Sequence, residues 1–170
     1  TCAATELADK FTPGMRSVMV DGVGGFLLGE DYDDALNGTS NARKLTGRAA
    51  VVNNKVCVVT GGAQGFGEGI VRELITNGAI VFIADMNVDG AQKLAEDLNA
   101  ETGRTAAFGV AVNVTDEASV QKMVGEIVET AGGIDLFVSN AGVLKAGSVK
   151  EMTLKDFEFV TDVNYVGFFL

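Results

Sequence analysis

The sequence has no histidine, no tryptophan and only one proline, and its two cysteines are Cys2 and Cys57. Two cysteines do not make a disulfide framework, and they favour a reducing, cytoplasmic location. The acidic stretch at residues 30–34 could suggest a metal site, but the sequence has no histidine to serve as a further ligand. The stretch therefore predicts the solvated start of a helix, and no metal site is expected. No apolar run approaches the length of a membrane span, and the start lacks the basic-then-apolar pattern of a signal peptide.

Basic residues are also scarce, with 13 Lys and Arg against 23 Asp and Glu and a formal net charge of −10. The absence of a basic run argues against a nucleic-acid partner and against an anionic membrane surface. Apolar residues make up 47% of the 170 residues, which is enough for the core of one ordinary domain. A soluble globular protein is therefore expected.

What the sequence does have is glycine, and one glycine-rich turn organises the rest of the chain. Residues 55–59 are of the type buried in a parallel strand, and a helical pattern begins at Phe66. Between them the sequence reads Thr60-Gly61-Gly62-Ala63-Gln64-Gly65-Phe66-Gly67. A strand that turns tightly into a helix N-terminus presents free N–H groups and the positive end of the helix dipole, so the turn predicts a diphosphate site.

A second buried-type strand, residues 80–84, follows the predicted helix 66–77 and ends at Asp85. An acidic residue about 20 positions beyond such glycines accepts hydrogen bonds from the adenine ribose of a dinucleotide. Asp85 would also repel a 2′-phosphate, and neither Met86, Asn87 nor Gln64 is basic. The sequence therefore predicts NAD as the cofactor, with NADP disfavoured.

The remaining elements continue the alternation of strands and helices. A helix over residues 88–101 precedes a strand over 106–112, which ends at Asn113, and Thr115 is expected to cap the next helix. A fourth strand, residues 136–138, follows Gly132-Gly133. Right-handed crossovers then predict an α/β fold, a doubly wound, Rossmann-like parallel sheet with strand order 3-2-1-4.

These residues resemble the short-chain dehydrogenase/reductase family. The glycine turn resembles its TGxxxGxG segment, Ser139-Asn140-Ala141-Gly142 its NNAG turn, and Val163-Asn164-Tyr165-Val166-Gly167 its VNxxG segment. The departures are Phe66, Asn113 and Ser139, where the family usually has Ile, Asp and Asn. The cofactor-binding residues implied by the turn, the strand tips and the resemblance are Thr60, Gly61, Gln64, Gly65, Phe66, Gly67, Asp85, Met86, Asn113, Val114, Asn140, Ala141 and Gly142.

Similarity to the family implies hydride transfer between a nicotinamide and an alcohol or carbonyl carbon of a small molecule, through a Tyr, a Lys, a Ser and an Asn. Asn164 is the one catalytic residue that carries over, on a final helix started by Thr153 and Asp156, where it is expected to face inward beside Phe157. Neither Tyr32 nor Tyr165 is followed four residues later by Lys. The chain alone is therefore expected to be inactive and to be part of a longer protein, whose cofactor-binding domain is residues 51–170. The resemblance implies that the full-length protein is a homo-oligomer.

Residues 1–50 are expected to be an extension. Residues 16–20 and 23–29, joined at Asp21-Gly22, predict a β-hairpin, and residues 37–41 a linker. This leader resembles the tail of class II aldolase-type domains fused ahead of some bacterial short-chain dehydrogenases, which implies a sugar alcohol or its phosphate, such as sorbitol 6-phosphate. Two other functions stay open: a non-catalytic dinucleotide-binding module, and an α/β domain whose turn binds another phosphorylated ligand.

Overall fold

The structure is a computed structural model, and it describes residues 46–170 together with the backbones of two short strands, 17–20 and 24–27. The chain divides into two units, Thr1–Leu45 and Thr46–Leu170. In the first unit, β1 (Ser17–Val20) pairs antiparallel with β2 (Gly24–Leu27), so the predicted strand pair is present. The predicted turn at Asp21-Gly22, the acidic stretch and the linker lie outside the described residues.

The second unit contains a four-stranded parallel sheet. After a short helix α1 (Ala49–Val52), its strands are β3 (Val56–Thr60), β4 (Ile80–Asp85), β5 (Ala107–Ala111) and β6 (Leu136–Val138). They lie in the order β5-β4-β3-β6. Numbered within this unit the order is 3-2-1-4, so the predicted fold class and topology are confirmed.

Alternate residues of the buried strands face opposite sides of the sheet, and each side has its own core. On one side Cys57 and Val59 pack against helices α2 (Gly65–Thr76) and α3 (Val88–Thr102). On the other side Val58 and Phe82 pack against helix α4 (Glu117–Ala131). This two-sided burial explains why the strands are continuous apolar runs in the sequence.

Helix α4 corrects one prediction about a helix start. Asp116, and not Thr115, is its N-cap, and the Asp116 carboxylate accepts a hydrogen bond from the N–H of Ala118. The hydroxyl of Thr115 does not cap the helix, because both this hydroxyl and the backbone N–H of Thr115 donate to the side-chain oxygen of Asn113. Gly132 ends the helix in the left-handed conformation, as glycine commonly does.

The last helical segment consists of α5 (Leu154–Thr161), a π-helical turn (Asp162–Val166) and α6 (Gly167–Phe169). Thr153 caps α5 as predicted, since its hydroxyl accepts a hydrogen bond from the N–H of Asp156. The expected inward orientation of Phe157 is wrong, because Phe157 is 57% exposed. Asn164 is also exposed, but its side chain turns to the backbone of Val143. Within residues 46–170, β6 pairs only with β3, and its Phe137 is 45% exposed, so little packs against this end of the sheet.

Candidate functional site

A cleft of about 650 Å³ lies at the carboxyl ends of the four parallel strands. Carboxyl ends of parallel strands meet at one edge of a sheet, where the topology leaves a crevice. Twelve of the fourteen residues predicted for the site line this cleft: Gly61, Gln64, Gly65, Phe66, Gly67, Asp85, Met86, Asn113, Val114, Asn140, Ala141 and Gly142. Their individual roles stay predictions.

The glycine turn has a shape that side chains would obstruct. Gly61 has a positive φ of 64°, and its N–H donates to the carbonyl of Ala84 over 2.7 Å, which draws the turn onto the end of β4. A Cβ on Gly67 would clash with the carbonyl oxygen of Gly61 and lie 2.7 Å from Nδ2 of Asn140. Glycine at these two positions therefore lets β3, α2 and the Asn140 turn approach closely.

Helix α2 begins at this turn without a side-chain cap. Asn87, Asp116 and Thr153 each accept a backbone N–H at the start of α3, α4 and α5. At the start of α2 the N-cap residue is Gln64, and its side chain makes no such bond. The first-turn residues of α2 line the cleft, and their N–H groups have no side-chain cap. Together with the positive end of the helix dipole, these N–H groups favour the binding of an anion.

Asp85 places a carboxylate at the mouth of the same turn. Its Oδ2 accepts a hydrogen bond of 3.1 Å from the N–H of Ala63, and its Oδ1 accepts one of 2.9 Å from the N–H of Asn87. An ionised carboxylate has about four acceptor sites, so two remain for a ligand. The carboxylate is thus held in one orientation and can still accept hydrogen bonds from a pair of hydroxyl groups.

Thr60 does not line the cleft but lies beneath it, with 2% of its surface exposed. Its hydroxyl oxygen accepts hydrogen bonds from the N–H groups of Asn140 and Ala141, over 3.0 and 3.1 Å. The Nδ2 of Asn140 donates in return to the carbonyls of Thr60 and Gly61, over 3.0 and 3.1 Å. These four bonds hold the turn after β6 against the turn after β3.

Asn164 also stands outside the cleft lining, and it binds a residue that is part of it. Its Oδ1 accepts from the N–H of Val143 over 2.8 Å, and its Nδ2 donates to the carbonyl of Val143 over 2.9 Å. The contact orients the backbone that follows the Asn140 turn. The π-helical turn that contains Asn164 is a rare backbone form that is frequent at functional sites.

Four residues that line the cleft were absent from the predicted site: Val112, Val143, Phe159 and Val163. Val112 and Val143 are next to predicted residues in the sequence. The predicted site therefore omitted one residue at the end of β5 and one residue after the Asn140 turn. Phe159 and Val163 reach the cleft from the last helical segment, and no local pattern distinguishes them from core residues. They add apolar surface to the cleft.

Helices of the kind needed to cross a membrane, long and apolar, do not occur in the described part of the chain. Groups of three or more acidic, cysteine or histidine side chains able to hold a metal ion are likewise absent from the residues that the structure describes.

The cleft combines three features: backbone N–H groups at a helix start, a carboxylate held by two hydrogen bonds, and small or apolar residues. That combination defines a dinucleotide-binding α/β domain.

Comparison with known proteins identifies the family. Residues 55–170 match the sequence profile of the short chain dehydrogenase family, and the chain belongs to that family. Over 121 residues it is 36% identical to the uncharacterized oxidoreductase YuxG of Bacillus subtilis (strain 168), covering 71% of this chain and 18% of that protein. Over 117 residues it is 37% identical to the sorbitol-6-phosphate 2-dehydrogenase of Escherichia coli (strain K12), covering 69% and 45%.

A solved structure gives the same result. The chain is similar, with a TM-score of 0.64 and 31% identity, to the 3-ketoacyl-(acyl-carrier-protein) reductase of Brucella melitensis complexed with NADH. The similarity covers 69% of this chain and 47% of the reductase. The chain spans less than half the length of each of these three proteins. The family resemblance inferred from the sequence is therefore confirmed.

Proposed function

We propose that this chain is the cofactor-binding part of an NAD-dependent oxidoreductase that transfers hydride between a nicotinamide and an alcohol or ketone. The single observation that carries the proposal is the position of the Asp85 carboxylate, bonded to the N–H of Ala63 at the mouth of the glycine turn. In this proposal Asp85 is the hydroxyl-binding group and lies beside the turn that binds the diphosphate, as the two parts of one dinucleotide require.

The residues of the cleft fit such a dinucleotide. The first-turn N–H groups of α2 would bind the diphosphate, and the exposed Phe66 would flank it. Asp85 would accept hydrogen bonds from the two hydroxyls of the adenine ribose. Asn140, Ala141 and Gly142 would border the nicotinamide half, where small residues allow a close approach.

NAD is favoured over NADP by charge. Asp85 would repel a 2′-phosphate, and no lysine or arginine is among the described residues that line the cleft. Met86, which follows Asp85, is apolar and 75% exposed, so it offers no positive charge to a phosphate. A 2′-phosphate would therefore meet a carboxylate and lack a counter-charge.

Bound nicotinamide would supply the hydride chemistry, and this chain would bind it, orient it and shape the substrate end of the cleft. Asn164 would position the backbone at Val143 through its two hydrogen bonds. The proton on the substrate oxygen needs a general acid of suitable pKa. Because the chain has no Tyr-x-x-x-Lys pair, we propose that the full-length protein supplies this group elsewhere, and that residues 1–170 alone are inactive.

A sugar alcohol or its phosphate is the proposed substrate class. It is supported by the similarity to the Escherichia coli sorbitol-6-phosphate 2-dehydrogenase, at 37% identity. A resemblance within a family supports a substrate class and leaves the individual substrate open. We also propose a cytoplasmic location, in keeping with the two cysteines of the sequence, and, by analogy with the family, a homo-oligomeric enzyme.

The test uses the full-length protein. NADH is titrated first and followed by its fluorescence, and then NAD reduction is measured with sorbitol, sorbitol 6-phosphate and simple vicinal diols. We expect saturable NADH binding and turnover with at least one polyol. Binding without turnover on any alcohol or ketone would favour the non-catalytic dinucleotide-binding module, and no binding at all would overturn the proposal.

A further inference from the structure

Lysines are concentrated in one short segment that leads out of the cleft. Residues 144–155 contain three lysines and a single acidic residue, whereas the whole chain has 13 basic residues against 23 acidic ones. The segment follows Val143, which lines the cleft, and continues into the first residues of α5. It therefore brings positive charge to a cleft in which Asp85 is the one ionisable side chain among the described lining residues.

Of these lysines, Lys145 has an ammonium group held by a neighbour. Its Nζ lies 3.4 Å from Oδ1 of Asp156, which is in the first turn of α5. The other carboxylate oxygen of Asp156 accepts a hydrogen bond of 2.7 Å from the hydroxyl of Thr153, the N-cap residue of α5. The N-cap therefore orients the carboxylate, and the carboxylate in turn orients the ammonium group.

The position of Asp156 relates this ammonium group to the cleft. Asp156 lies three residues before Phe159 in α5, so the two side chains share one face of the helix, about one turn apart. Phe159 and Val163 both line the cleft. The ammonium group of Lys145, bonded to Asp156, therefore lies about one helical turn beyond the lining, at the rim of the cleft.

The backbone that leads to Lys145 starts in the same cleft. Val143 lines it, and the side-chain amide of Asn164 bonds the N–H and the carbonyl of Val143 over 2.8 and 2.9 Å. Lys145 is two residues further along the chain. The next step rests on the proposed function, in which residues 140–142 border the nicotinamide. The rim at Lys145 is then at the substrate end of the cleft.

The lining next to this rim has no group that would bind an anion. Val143, Phe159 and Val163 are apolar, and no lysine or arginine lines the cleft within the described residues. A phosphate monoester carries a charge of about −1.5 to −2 at pH 7 and has three strong acceptor oxygens. The pair of Lys145 and Asp156 is weak, because 52% and 37% of the two side chains are exposed. A phosphate can therefore replace the carboxylate as the partner of the ammonium group.

We propose that Lys145 is a specificity-determining residue that binds the phosphate of a phosphorylated polyol at the rim of the cleft. The carbon that carries the reacting hydroxyl lies inside the cleft, and the phosphate extends to the ammonium group. Asp156 orients this group and competes with the phosphate for it. The protein therefore uses sugar-alcohol phosphates in preference to neutral sugar alcohols.

The test compares kcat/KM for sorbitol 6-phosphate and for sorbitol, at saturating NAD, in the full-length protein and in three variants. Lys145→Gln removes the ammonium group, and Asp156→Asn removes the competing charge but keeps an oxygen for Thr153. Lys122→Gln removes the same charge from an exposed position of α4 outside the cleft lining and is the matched control. Thermal melting establishes that each variant is folded, and NADH titration establishes that it binds the cofactor.

We expect the native protein to favour sorbitol 6-phosphate at least about tenfold, and this ratio to fall about tenfold or more in Lys145→Gln, as when a hydrogen bond to a charged group is lost. In Asp156→Asn the ratio should rise about two- to fivefold, because an exposed competing pair is removed. Lys122→Gln should keep the native ratio.

A native preference for sorbitol, no use of sorbitol 6-phosphate, or an unchanged ratio in Lys145→Gln would overturn the inference. The proposed function would still stand in these cases if the native protein bound NADH and oxidised another alcohol. Failure of the native protein to bind NADH would instead overturn the proposed function.

Discussion

The carboxylate of Asp85 accepts a hydrogen bond of 3.1 Å from the backbone N–H of Ala63, so the tip of β4 is tied to the glycine turn that follows β3. The two residues are 22 positions apart in the chain. The bond fixes the carboxylate beside the N-terminus of α2, which has no side-chain cap. The two groups that we propose to bind the diphosphate and the ribose are therefore connected directly.

Replacing Asp85 should change cofactor choice. In Asp85→Ala we expect NADH affinity to fall about tenfold, since hydrogen bonds to a charged group are lost, and NADPH affinity to fall less, since a repulsion is also removed. Dissociation constants of the full-length protein provide the measurement. Asp89→Ala removes the same charge from an exposed position outside the cleft and should leave both constants unchanged. Equal losses for NADH and NADPH in Asp85→Ala would remove Asp85 from the ribose site.

The close approach at Gly67 can be tested against a second glycine of the same helix. Gly67→Ala places a Cβ against the Gly61 carbonyl and should destabilise the protein by about 1–3 kcal/mol and abolish NADH binding. Gly69→Ala meets no atom within 4 Å and should stabilise the helix by about 0.5–1 kcal/mol. Melting curves and NADH titrations measure both effects. If the two variants behaved alike, the packing at the turn would be looser than described.

The bonds between Thr60 and the Asn140 turn should contribute strongly to stability. Thr60→Val keeps the shape but leaves the N–H groups of Asn140 and Ala141 without their acceptor, which should cost about 2–4 kcal/mol. Thr60→Ser keeps the hydroxyl and should cost only about 1 kcal/mol for the lost methyl group. Urea unfolding of the full-length protein distinguishes them. Serine as damaging as valine would show that the methyl group, and not the hydroxyl, matters.

Asn164 should affect turnover through Val143. Asn164→Ala removes both bonds to the Val143 backbone, and Asn164→Asp puts a carboxylate oxygen opposite the Val143 carbonyl. In the full-length enzyme we expect either change to lower kcat about 10- to 100-fold, as misplaced reacting groups do, with a smaller effect on the KM for NAD. Steady-state kinetics test this. Normal kcat in both variants would make the contact a purely structural one.

Cys57 should make the protein less stable at high pH. Burial, with a smaller effect of Asp135, raises the pKa of this fully buried thiol from its ordinary value of 9.0 to about 11. Above pH 9.0 the unfolded thiol ionises while the folded one does not, so the contribution of this thiol to stability is constant below pH 9.0 and falls as the pH rises to about 11. The slope is about 1.4 kcal/mol per pH unit. The difference in unfolding free energy between the native protein and Cys57→Ala, measured across this range, isolates the thiol; a constant difference would contradict the prediction.

Much of the fold was predictable because its signals are local. A run such as residues 56–59 is apolar at every position because both faces of the strand are buried, and the glycines after it allow one tight turn. The predicted N-cap of α4 was wrong by one residue, because the neighbouring residues Thr115 and Asp116 are both good N-caps. The choice between them depended on Asn113, whose side chain engages Thr115 and leaves Asp116 for the helix.

The orientation of the last helical segment was not predictable in the same way. Its apolar spacing placed Phe157 and Asn164 on an inward face, but Phe157 is 57% exposed, and the exposed Asn164 bonds the backbone of Val143. Periodicity shows which residues share a face, and it does not show what that face meets. The role of Asn164 as the partner of Val143 depends on a contact 21 residues back along the chain.

The sequence by itself determined the order of strands, the position of the glycine turn and the carboxylate at the tip of the second strand, because continuous apolar runs, backbone freedom and chain spacing are properties of neighbouring residues. Only the tertiary structure decided which polar atoms are committed and which are left for a ligand. Thr60 reaches Asn140 across 80 positions, and Asn113 turns its oxygen to Thr115 and leaves its amide nitrogen unbonded within residues 46–170. Hydrogen bonds are directional and short, so these assignments follow from the register of the assembled sheet and its loops.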